Sequence, residues 1–159
     1  MSIRCTSKQS HTDTVADGVT VLHFPRKSLY NSSWKKKIVA PIIRLLRHKG
    51  LYVFGSFSHH TAARKSHLSM QPTTNIYFGL PQQGTALMKQ NILLPVHLPF
   101  CMSVQRKNTD TVLVVFKNSF EHIKGYKINK KKTDNLFANL QSMLHQWSIK
   151  RNTQRKKLN

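Results

Sequence analysis

His59, His60 and His67 fall close together in one Ser-rich stretch, with His97 and Cys101 further along the chain. Three imidazoles so near one another could hold a metal ion or move a proton. Zinc, however, asks for two ligand pairs at fixed spacing, and no second pair accompanies adjacent His59 and His60. A Cys101–His97 dyad lacks an acid to orient its imidazole. The five carboxylates, Asp13, Asp17, Asp110, Glu121 and Asp134, are scattered, and no two stand at a spacing that helix or strand geometry would pair. Gly50 and Gly55 are isolated, so no Gly-rich phosphate loop is present. The expectation is no enzyme: no catalytic residue, no metal and no cofactor. A nucleic-acid-modifying activity centred on His59, His60 and His67 is the competing reading.

Charge points to binding instead. Twenty-six Lys and Arg against five acids give a net charge of +21, and no acid occurs between Gly18 and Thr109, an interval holding thirteen Lys and Arg. Self-repulsion on that scale is relieved by a partner that lines up phosphates. RNA is favoured among such partners because 14 aromatic residues are available for stacking. A basic protein adhering to anionic membrane surfaces is the plainer competitor. The cations cluster in five groups: Arg26 and Lys27; Lys35, Lys36 and Lys37; Arg64 and Lys65; Lys130, Lys131 and Lys132; and Lys150, Arg151, Arg155, Lys156 and Lys157. These are the candidate RNA contacts.

The 159 residues suit one domain, read as a flexible arm over 1–18, a single domain over 19–149 and a basic tail over 150–159. The first 18 residues contain Asp13 and Asp17 and lack an apolar core, so they resemble neither a secretory signal nor an Arg-rich transit peptide. The apolar run 91–102 is interrupted by two prolines and a histidine and is too short to span a bilayer. Cys5 and Cys101 read as free thiols in a reducing compartment.

The elements that must position these groups begin with a strand over 19–24, followed after Pro25 by a basic helix. Trp34, Ile38, Ile42 and Leu45 form its apolar stripe, with Ser32 or Ser33 as cap and Lys35, Lys36, Lys37, Arg44 and Arg47 facing outward. Pro41 leaves two versions open, a kinked helix over 33–49 or a regular one that starts at the proline. Both stop at Gly50, and a strand follows over 51–54. Strand, helical crossover and strand make a βαβ start with parallel strands. Residues 55–67 read as a loop with one helical turn around 61–65. A strand follows over 75–80 and a short helix over 85–90. The proline-punctuated stretch 93–102 reads as an irregular connection or edge strand. The run 111–116 reads as a strand buried on both faces, and 124–129 as a short strand or turn. The last helix is capped by Thr133 and carries Leu136, Phe137, Leu140, Met143, Leu144 and Trp147 on one stripe. The fold class is α/β, a small mixed sheet of four or five strands with flanking helices.

In this order the elements resemble the rRNA-binding domain of the stalk-base ribosomal protein family, the tenth of the large-subunit series. The correspondence runs through 19–24, 28–30, 34–47, 50–54, the basic Thr-containing segment 61–65, Gln71-Pro72-Thr73, the 112–116 strand, the turn at Gly125 and the helix from Thr133. The resemblance covers roughly 19–147. The family's Lys-Asn-Thr-Leu motif is not intact, and Gln71 stands where the family has glycine. The resemblance implies a structural constituent of a large ribosomal subunit, bound to rRNA and neighbouring ribosomal proteins. It also raises contact of acidic stalk proteins with the C-terminal helix. Its divergence and basic character suggest an organellar, mitochondrial form, or else another organellar ribosomal or non-specific RNA-binding protein. No membrane partner is implied.

Overall fold

The structure, a computed structural model, describes residues 19–23, 34–89, 91–96, 98–116 and 130–156. Strand β1 (Val19–His23) follows from its β-branched residues. The next helix is under way at Trp34, is π-helical over Lys35–Val39 and continues as α1 (Ala40–His48). The wide turn explains how Pro41 is accommodated. Its ring would crowd a carbonyl one turn back, but Ala40 N–H already reaches back five residues to the Lys35 carbonyl. The ladder is thus opened just before the proline, which falls in the first turn of the α-helical part. The two readings of Pro41 merge into one helix; Ser32 and Ser33 lie outside the described residues.

Trp34, Ile38, Ile42 and also Val39 and Leu46 are buried, while Lys35, Lys36, Arg44 and Arg47 are exposed. Lys37 departs from the expected outward face and is half-buried. At the helix end Gly50 takes a positive φ of 76°. Its N–H donates to the Arg47 carbonyl at 3.0 Å, and the Leu51 N–H donates to the Leu46 carbonyl at 3.1 Å. This paired closure needs a left-handed residue, which glycine supplies without a Cβ penalty.

The chain continues through β2 (Tyr52–Ser58), α2 (His59–Lys65), β3 (Thr73–Gly79), α3 (Pro81–Met88), a 3-10 turn at Leu94–Val96, β4 (Phe100–Arg106), β5 (Thr111–Phe116) and α4 (Lys130–Lys156). The five strands lie in the order β1-β5-β4-β3-β2, so the α/β class with a five-stranded sheet and flanking helices stands. Every pairing is antiparallel, which corrects the mixed sheet. The reason is connectivity: strands β2 to β5 follow one another as neighbours and reverse direction each time. β1 and β2 do point the same way, but at opposite edges with three strands between them.

Several boundaries also move. The expected loop after residue 54 is strand to Ser58 and then helix α2. The expected irregular stretch over 93–102 leads into β4, an internal strand, because Pro95 and Pro99 both precede it. In β5 Thr111, Val112, Val114 and Phe116 are buried, but Leu113 and Val115 are only half-buried. The basic stretch read as a tail is helical to Lys156. No glycine or proline interrupts 130–156, and Lys, Arg and Gln favour helix. The 124–129 segment lies outside the described residues.

One face of the sheet carries Leu22, Ile76, Phe78, Met102, Val104, Val112 and Val114. They are buried with Ile38, Ile42 and Leu46 of the first helix and Leu140 and Leu144 of α4. Both helices therefore cover the same face. The opposite face, with Tyr77, Cys101, Ser103 and Val115, is only half-buried.

Candidate interaction surface

Strand β2 occupies one edge of the sheet and pairs only with β3 among the described residues. An unpaired strand edge presents backbone donors and acceptors to any segment that can add to it. Its seven residues, Tyr-Val-Phe-Gly-Ser-Phe-Ser, carry no charge and extend about 20 Å at the usual strand rise. Tyr52, Phe54 and Phe57 are 58%, 51% and 48% exposed.

A bulge places these rings. Val53 pairs with buried Phe78 on the helix-covered side, but the register shifts between Val53 and Gly55. Gly55 and Phe57 then oppose Tyr77 and Asn75 on the open face, while Ser56 and Ser58 oppose Ile76 and Thr74. A one-residue shift exchanges the two faces of a strand, so Phe57 turns outward and two serines turn toward the helices. The Tyr52 and Phe54 rings meet edge-on at a centroid distance of 4.9 Å, and Phe57 meets His59 in the same way at 4.9 Å.

Exposed cations stand at both ends of this edge. Arg47 and Lys49 precede its first residue, and Arg64 and Lys65 close α2, the helix that follows its last. Lys35 and Lys36 belong to that second end, because neighbouring Trp34 donates its indole N–H to Thr74 Oγ1 at 3.2 Å. Among the described side chains the one carboxylate is Asp110, which accepts from Thr111 Oγ1 at 2.8 Å. The structure thus groups Lys35 and Lys36 with Arg64 and Lys65. Lys130, Lys131, Lys132, Lys150, Arg151, Arg155 and Lys156 belong instead to α4, the helix whose Leu140 and Leu144 pack on the covered face. Arg26, Lys27 and Lys157 are outside the described residues.

The histidines do not converge. His59 meets Phe57 edge-on, and His67 lies exposed beyond α2 with φ 58°. His60 turns inward. Thr73 N–H donates to its Nδ1 at 3.1 Å, and Ser58 Oγ lies 3.1 Å from the same atom. Ser58 also caps α2, accepting from Thr61 N–H at 3.3 Å and donating to Thr61 Oγ1 at 2.7 Å. The imidazole thereby takes over the amide of Thr73, the first residue of β3. His60→Ala should cost about 1–3 kcal/mol of stability, because it orphans that amide beside buried Thr73; chemical denaturation of both proteins measures it. Among the described residues no group of three His, Cys, Asp or Glu side chains could hold a metal ion.

Residue types alone did not single out Tyr52, Phe54 and Phe57. The available signal was Gly55 inside an otherwise apolar strand, a frequent mark of a bulge.

The fold defines an α/β protein in which a five-stranded antiparallel sheet carries its first helix and α4 on one face and leaves a bulged aromatic strand at its edge. The chain belongs to the DUF302 family, described as a domain of unknown function, which matches residues 32–147. The crystal structure of an uncharacterized conserved DUF302 protein from Bacillus stearothermophilus is similar in fold, with a TM-score of 0.53 and 16% identity. The likeness covers 84% of this chain and 97% of that one. No curated protein matches the sequence.

Family membership overturns the ribosomal resemblance, and with it the assigned role in a ribosomal subunit and in rRNA binding. The features behind that resemblance were a β-rich run, a helix with Leu and Arg near its end and a glycine before the next strand. The Gly50 closure shows why they mislead: any helix that turns sharply into a strand favours such a glycine, so the pattern reports a local geometry and not a family.

Proposed function

We propose that this chain is a non-catalytic binding module that takes an extended segment of an acidic partner protein as a sixth strand along β2. The observation that carries the reading is the uncharged edge strand with three half-exposed aromatic side chains. Strand addition draws affinity from main-chain hydrogen bonds and selectivity from alternate side-chain contacts. The bulge divides the edge and leaves Gly55–Ser58 as the regular run, which suits a short segment better than sheet-to-sheet pairing. Charge selects the partner. Symmetric pairing of two copies would set Arg47 and Lys49 of one against Arg64 and Lys65 of the other, whereas carboxylates flanking a peptide meet cations at both ends.

The probe is a nine-residue peptide alternating Val and Tyr with Thr at its centre and carrying Glu-Asp at each end. Calorimetric titration should show binding that weakens about tenfold or more when the central amides are N-methylated, and that is lost when Lys replaces the acids. Equal affinity for the N-methylated peptide would refute strand addition, and equal affinity for the lysine peptide would refute the acidic partner.

A further inference from the structure

The connection between β3 and β4 contains a tight turn whose chemistry is the reverse of the usual one. Leu94 N–H donates to the Asn91 carbonyl at 3.2 Å, and Leu93 N–H donates to Asn91 Oδ1 at 2.7 Å. Ile92 and Leu93 are therefore the two central residues of the turn, positions where Gly, Asn, Asp and Pro are usual. They are 89% and 66% exposed. The turn is anchored from within, since the next residue, Leu94, is buried. A built turn that holds two aliphatic side chains in water invites an apolar environment to receive them.

The surroundings say which one. Tyr52 pairs with Gly79, the residue at which β3 ends before this connection begins, so the exposed Arg47 and Lys49 stand at the end of the sheet from which the connection carrying Ile92 and Leu93 leaves. Exposed Lys89 and Met88 lie just before the turn. No acid interrupts this part of the sequence. A protruding aliphatic pair on a connection that carries Lys89 and leaves the sheet at a basic end matches a bilayer surface carrying anionic headgroups, in which apolar side chains enter the acyl boundary and Lys and Arg hold the lipid phosphates or carboxylates. We infer that this end of the molecule docks peripherally on an anionic membrane, with Ile92 and Leu93 as the inserted pair. Among the described residues no helix is long and apolar enough to cross a membrane, so the contact is one of surface insertion. It shares Arg47 and Lys49 with one end of the β2 edge but rests on the turn, and it stands without the strand-addition reading.

The test is flotation of the full chain with vesicles of phosphatidylcholine alone and with about 30% phosphatidylserine. A charge of +21 adsorbs to any anionic surface at low ionic strength, so the deciding comparison is made near physiological salt. There the wild type should float with the anionic vesicles and not with the neutral ones. The Ile92→Ser/Leu93→Ser variant should partition at least about tenfold less; both side chains are exposed, so its unfolding midpoint should match the wild type. In a Leu93→Trp variant, brominated lipid should quench the added indole emission. Absence of binding at physiological salt would overturn the inference. So would undiminished binding of the double serine variant, or indole emission in the Leu93→Trp variant that brominated lipid leaves unchanged, since either shows adsorption by charge alone.

Discussion

Phe78→Ala is expected to remove about 3–5 kcal/mol of stability, the range for truncating a fully buried aromatic. Phe78 lies on the covered face near the end of β3, is fully buried, and sits 6.0 Å, centroid to centroid, from the tilted ring of Phe100 on β4. Its neighbours on that face pack against helices on both sides of it in sequence, so the cavity has little room to collapse. A domain of this size is stable by about 5–15 kcal/mol, so the variant should lose a large share of its folded margin. Denaturant midpoints for Phe78→Ala and Tyr77→Ala give the measurement. Tyr77 is the adjacent residue but faces the half-buried side, and its truncation should cost distinctly less. Equal losses would mean that the sheet does not have one covered face and one open face.

The second large effect concerns binding. Replacing Tyr52, Phe54 and Phe57 together with alanine should weaken the acidic-flanked peptide by about thirtyfold or more, because a few aromatic side chains commonly dominate an interface. Each is about half exposed in the free protein, so the folded state should lose little. Phe57→Ala should be the most damaging single change. Phe57 stands on the regular run Gly55–Ser58, whereas Phe54 lies at the bulge, 3.5 Å from the point where a Cβ on Gly79 would fall. Retention of full affinity in the triple variant would place the site elsewhere.

Local pattern made parts of this fold legible. The stripe Trp34, Ile38, Ile42 and Leu45 marks a helix face because each residue lies about one turn from the next. Gly50 ends that helix for a reason visible in one residue. Thr111–Phe116 reads as strand because five of its six side chains are β-branched or aromatic. What lies between the strands was not legible. That β1 pairs with β5, and not with the strand after the first helix, is decided by tertiary packing over most of the chain length. The interior position of β4 was hidden by prolines that turn out to precede it. The candidate surface was the least visible part: cation clusters are readable in any order of strands, but Phe57 faces outward only because a bulge reverses the alternation. The histidine stretch misled in the opposite sense, since His60 is engaged with a strand amide that sequence spacing could not bring to it.

Amide hydrogen exchange along both sheet edges, with and without the acidic-flanked peptide, tests strand addition most directly. Exchange should slow by about tenfold or more at alternate amides of Gly55–Ser58 when the peptide is bound, with β1 at the far edge unchanged. Unaltered exchange in that run under saturating peptide, or equal slowing at both edges, would contradict it.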